Sequence, residues 1–141
     1  GTLEIVTYAC IDDVGRVVNP LIVDGQVHGG IAQGVGQALM EHVVYGADDG
    51  QVLAGSFMDY TMPRADTLPS FKVETNEVIT KGNPLGVKGA GEAGTTGALA
   101  AVMNAVHDAL KQAGVARLDM PATPHRIWQA IREAKKNPLP P

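Results

Sequence analysis

The chain has 141 residues, of which 45% are hydrophobic and 18% charged, and its formal net charge is −4. That balance predicts one folded domain with its own core and excludes a disordered chain. No basic cluster exceeds Lys135-Lys136, which excludes a nucleic-acid partner, because binding phosphates needs concentrated Lys and Arg.

The lone cysteine, Cys10, rules out an internal disulfide framework and a thiolate-held zinc or iron–sulfur site. No apolar run is long enough to cross a bilayer and no signal peptide is visible, so a cytoplasmic setting is expected. The chain opens in a strand-like segment without an initiating Met, and several of its 17 glycines sit inside apolar segments. Both features predict a piece of something larger.

In chain order, Leu3–Ile11 reads as a strand, rich in Leu, Ile, Val and Tyr. Asp12-Asp13-Val14-Gly15 is a turn signal, with Arg16–Val18 returning as a second strand. Asn19-Pro20 breaks the chain. From about Leu21 to Val43 a helix is predicted, since Val27, Ile31, Val35 and Leu39 recur every four residues. A turn at Ala47-Asp48-Asp49-Gly50 precedes an extended segment over Gln51–Tyr60. A loop with two prolines leads to a strand over Phe71–Ile79. Lys81–Gly94 is glycine-rich. A second long helix runs from about Thr95 to Ala113, capped by Thr95 or Thr96 and ended by Gly114. Pro121 and Pro124 lead into a short helix holding Ile127, Trp128 and Ile131, and the tail Asn137–Pro141 cannot continue it. The expected fold is α+β, with two long helices and a short C-terminal one on a small, largely antiparallel sheet.

Two stretches call for more than packing. On the first helix Gln26, Gln33 and Gln37 share one face, with Gly30 beside them and the apolar residues opposite. Gly29, Gly30, Gly34 and Gly36 each weaken the helix by roughly 1 kcal/mol against Ala. Glycines let a backbone or a ligand come close, and amides both donate and accept. The pattern leaves two readings open: a tight contact with another element, or a face turned to a ligand. His28 reads as a packed or surface histidine.

The second stretch is Gly86-Val87-Lys88-Gly89-Ala90-Gly91-Glu92-Ala93-Gly94-Thr95. Its glycines allow main-chain NH groups to line a concave surface ahead of a helix N-terminus, a natural seat for phosphate. Lys88 is placed to neutralise such a phosphate or to pair with Glu92. The bland reading of Glu92 is an acid favoured by the helix dipole by about 0.3–1 kcal/mol. Gly89–Gly94 also satisfies the dinucleotide fingerprint GxGxxG, but a strand running straight into its first glycine is missing.

Together, the segment from Gly25 to Leu39 and the segment from Asn83 to Thr95 resemble the C-terminal region of the molybdopterin-binding large subunit of the xanthine dehydrogenase and aldehyde oxidase family. Phe57-Met58-Asp59-Tyr60 and Asp119-Met120-Pro121-Ala122-Thr123-Pro124 fit its aerobic carbon monoxide dehydrogenase branch. The resemblance spans essentially all 141 residues, but only the last part of a subunit several times longer. It implies that Glu92, in the Lys-Gly-x-Gly-Glu motif, is the catalytic base. It implies that Gln33, Gln37, Gly29, Gly30, Lys88, Gly89, Ala90 and Gly91 contact a molybdenum–molybdopterin cytosine dinucleotide. The pterin holds the metal, so no protein metal ligand is expected. Implied partners are the rest of the subunit, iron–sulfur and FAD subunits or domains, and a small-molecule substrate. The isolated chain is expected to be inactive, without cofactor, and oligomeric. A non-catalytic interaction module and a nucleotide-binding domain are the alternatives.

Overall fold

The computed structural model describes residues 1–136. Its elements are β1 (Tyr8–Asp12), α1 (Pro20–Leu39), a 3-10 turn (Ala65–Thr67), β2 (Phe71–Thr75), α2 (Ala93–Lys111) and α3 (Pro124–Lys136). The tail Asn137–Pro141 lies outside the described residues.

α1 starts where Asn19 Oδ1 accepts from Ile22 N at 3.2 Å and Pro20 presets the first turn. So Asn19-Pro20 opens the helix as well as ending the segment before it. α1 stops at Leu39, short of Val43, where Met40 N and Glu41 N both turn back onto Gly36 O. α2 begins two residues earlier than expected, with Glu92 as its N-cap and no side-chain cap bond. Thr95 and Thr96 do not cap it. Thr96 Oγ1 donates to Glu92 O and Thr95 Oγ1 to Gly30 O, each at 3.0 Å. At the far end Gly114, with φ 76°, donates to Lys111 O while Val115 N reaches Leu110 O. This is the Schellman closure that a glycine at this place permits.

The core lies between α1 and α2. Val27, Ile31 and Val35 are fully buried against Val102, Met103, Val106 and Leu110, with Val115, Leu118 and Ile127 closing one end. Burying each such side chain contributes roughly 1.5–3 kcal/mol before the entropy of ordering it is subtracted. Ala122 N donates to Ala38 O at 2.7 Å and ties the segment before α3 to the end of α1.

The sheet corrects the expectation. β1 and β2 pair in parallel, Tyr8 opposite Phe71 and Asp12 opposite Thr75. Alternating side chains look the same in either direction, whereas a crossover containing a helix brings the chain back parallel. The ladder lies against α1 through Phe71, whose ring meets Tyr8 at 5.5 Å and His28 at 5.6 Å, both edge-on. Arg16–Val18 and Gln51–Tyr60 are not strands. Only single antiparallel bridges, Gly15 with Val87 and Tyr45 with Val52, form near them. Both regions hold turns and bends that interrupt pairing.

Candidate functional site

The glycines sort into two groups by what surrounds them. Gly94 at the head of α2 presses on α1, where an added Cβ would fall 2.4 Å from Val27 O and 2.9 Å from Ile31 N. Gly30 and Gly34 answer from α1, with Thr95 N 3.0 Å and the Ala98 Cβ 2.7 Å from their imagined side chains. These three make a close helix crossing. Gly30, expected at the cofactor, is therefore buried and taken up by the contact with α2. Gly25, Gly29, Gly89, Gly91 and Gly97 have nothing within 4 Å of a Cβ. The tight-contact reading of the glycine-rich helix thus holds for Gly30 and Gly34, whereas Gly25 and Gly29 face open space.

The crossing brings the glutamine face of α1 to the start of α2. Gln26 Nε2 donates to Gly91 O at 2.7 Å, and Thr95 Oγ1 lies 3.4 Å from Gln33 Oε1. Gln37 lies a turn further along and is exposed. Glu92 follows Gly91 directly. It lines an open hollow of about 690 Å³ with Asp12, Gly89, Gly91, Thr96 and Gly97. The Glu92 side chain is exposed, and its carbonyl accepts from Thr96 N and Thr96 Oγ1.

Gln33, Gln37 and Gly29 are outside the lining of that hollow. Lys88 and Ala90 face the other side of the loop, in a second hollow with Val14, Arg16 and Ile22. Lys88 pairs neither with Glu92 nor with solvent alone, because its Nζ is ion-paired with Asp13 Oδ2. The loop is thus a wall between two hollows, with Gly89, Gly91 and Glu92 on one face.

Sequence reasoning read Asp12 and Asp13 only as a turn. Asp12 shares the hollow with Glu92 and accepts from the Cys10 thiol at 3.7 Å. Burial, and then the negative charge of Asp12, push the Cys10 thiol up in pKa, so the sulfur stays protonated near neutral pH. Asp13 Oδ1 accepts from Gly15 N at 2.9 Å and from Val78 N at 3.2 Å. The visible signal was an Asp two residues before a glycine, the arrangement in which the side chain bonds its own backbone. Among the described residues no cluster of His, Cys, Asp and Glu suits a metal ion, and no helix is long and apolar enough to cross a membrane. GxGxxG lacks its structural context, because β2 ends at Thr75, well before Gly89.

Residues 1–69 match the molybdopterin cofactor-binding domain. The nicotine 6-hydroxylase large subunit of Paenarthrobacter nicotinovorans is 38% identical over 132 residues, 94% of this chain and 16% of that protein. The carbon monoxide dehydrogenase large chain of Hydrogenophaga pseudoflava is 32% identical over 133 residues, again 94% of this chain and 16% of that one. The crystal structure of the Cu,Mo-CO dehydrogenase in its carbon monoxide reduced state superposes with a TM-score of 0.88 at 30% identity, covering 95% of this chain and 17% of that chain. The chain belongs to the xanthine dehydrogenase and aldehyde oxidase family of molybdopterin-binding subunits. It spans about a sixth of the length of the curated relatives it matches. Within that family, the mixed helix and strand arrangement described above is that of the carbon monoxide dehydrogenase segment it overlays.

Proposed function

We propose that this chain is the part of a molybdenum hydroxylase large subunit that carries the catalytic base, Glu92, and one wall of the cofactor site. The observation that carries the reading is the placement of Glu92: at the head of α2, in a hollow it lines with Gly89, Gly91 and Gly97, one residue from the carbonyl that Gln26 holds. The residues fit a pterin dinucleotide. Gly29, Gly89 and Gly91 leave their backbone open to a planar or phosphate-bearing partner. The first turn of α2 presents NH groups that have no partner within the helix. Gln33 and Gln37 offer amides on the same side of α1. Gly30 serves indirectly, by admitting Thr95 beside Gln33.

When bound, the molybdenum–molybdopterin cytosine dinucleotide supplies the redox centre at which a small molecule is oxidised. Glu92 supplies a carboxylate oxygen that accepts a proton during that oxidation. Its delivery by backbone turn and helix start, without a side-chain cap bond, leaves both oxygens available. Removing a general base typically slows turnover by about 10²–10⁴-fold. In the complete complex, Glu92→Gln is therefore expected to keep its molybdenum content and lose turnover by that factor. Normal turnover in that variant removes Glu92 from the role.

The same reading has the chain act as one domain within a cytoplasmic enzyme, with the rest of the large subunit and iron–sulfur and FAD components as partners. Phe57 and Met58, 82% and 92% exposed, and Leu21 at 82% are apolar surfaces suited to being covered by such partners. In isolation they favour self-association, which solution scattering on the 141-residue chain would register as oligomers.

A further inference from the structure

Asp13 lies outside the hollow, yet three stretches of chain meet at its carboxylate. Oδ1 takes the Gly15 and Val78 NH groups, and Oδ2 takes Lys88 Nζ. Main-chain bonds run beside it: Lys88 N donates to Val14 O at 2.9 Å and Arg16 N to Gly86 O at 3.0 Å. The two turns close tightly because both carry glycines in the left-handed region, Gly15 at φ 65° and Gly86 at φ 72°. A Cβ on Gly15 would sit 2.5 Å from Gly86 O.

Beyond Lys88 the restraints stop. Gly89, Ala90 and Gly91 separate it from Glu92, and neither glycine has anything within 4 Å of a Cβ. Ala90 O accepts only a local bond from Ala93 N at 3.4 Å, and the next tie to another element is Gly91 O, held by Gln26. The segment is therefore pinned at its two ends, by Asp13 on one side and Gln26 on the other, and Glu92 follows the second pin.

We propose that Asp13 is a positioning residue for Glu92, acting through Lys88 to fix the near end of the loop that presents the base. This rests on the assignment of Glu92 above. It also gives Lys88 a different task from neutralising a phosphate: its charge is spent on Asp13. The neighbouring carboxylates divide the work, Asp12 facing the hollow with Glu92 and Asp13 facing the loop's anchor.

The test is hydrogen–deuterium exchange on the full-length subunit, following peptides across 83–92, 27–39 and 98–110 in wild type, Asp13→Ala, Asp13→Asn, Lys88→Met and Glu92→Gln. In Asp13→Ala the 83–92 peptide should exchange about tenfold faster, the size of effect expected when hydrogen bonds to a charged group are lost. Lys88→Met and Asp13→Asn each lose the ion pair but keep an acceptor for Gly15 and Val78, so both should fall between Asp13→Ala and wild type. The α1 and α2 peptides should stay as in wild type. Unchanged exchange over 83–92, or faster exchange spread equally over the helices, overturns the proposal, the second because it makes Asp13 a general brace of the fold. Glu92→Gln should leave the loop's exchange as in wild type. Its turnover tests the base alone, so the two assignments can fail separately.

Discussion

Gln26 on α1 holds the carbonyl of Gly91, 2.7 Å away and 65 residues on in the sequence. The residue after Gly91 is Glu92, so Gln26 ties to α1 the backbone immediately before the carboxylate at the head of α2. Gln26→Ala is expected to cost no more than about 0.5–1.5 kcal/mol in chemical denaturation, since the bond is solvent-exposed. Its larger effect should be on molybdenum retained by the full subunit after gel filtration. Wild-type retention would show that Gly91 needs no support from α1.

The helix crossing gives a pair of opposite outcomes from one substitution. Gly94→Ala drives a methyl into Val27 O and should destabilise the chain by about 1–3 kcal/mol. Gly97→Ala, in the same helix but facing open space, should stabilise it by up to about 1 kcal/mol through helix propensity. Thermal melts of the two variants, run side by side, check both signs.

Gly29→Ala separates folding from cofactor binding. The position is helical and open, so the alanine should raise stability by up to about 1 kcal/mol. If the Gly29 backbone lies against the cofactor, the same methyl should lower molybdenum content in the full subunit. A variant that is both more stable and normally loaded would take Gly29 out of the site.

Lys88 beside it, and then the Gly15 NH, hold the Asp13 carboxyl below the usual carboxylate range. A carboxyl lowered on folding contributes stability above its unfolded pKa and loses it as pH falls through the folded value. Protection of the 83–92 segment should thus persist through about pH 4, where an ordinary Asp is half protonated, and give way only below it. In Asp13→Asn this acid step should vanish from the exchange profile of that segment.

The helices were legible because each has an apolar face at helical spacing: Val27, Ile31, Val35 and Leu39 in α1, Val102, Met103, Val106 and Leu110 in α2. The sheet was less so. Phe71 and Val73 reveal which face is inward, but not which way the partner strand runs, since side-chain alternation carries no direction. Gly30 and Gly29 are neighbours of one residue type, yet one is closed against Thr95 and the other open. Only the position of α2 distinguishes them. Lys88 shows the same limit: the sequence offered a phosphate or Glu92 as its partner, but its partner is Asp13, 75 residues away. The motif that located Glu92 was local, whereas the contacts that aim it join distant segments.

The parallel pairing of Tyr8 with Phe71 has a kinetic consequence. All of α1 and a long irregular excursion must be threaded between these partners, so the ladder cannot zip from a hairpin and must wait for a large chain loop to close. The helices can form early from neighbouring residues. The turn that carries Glu92 hangs from the end of β1 through Val14, Gly15 and Arg16, and so reaches its final place only after that slow closure. During synthesis or refolding, Glu92 should be among the last parts of the chain to settle.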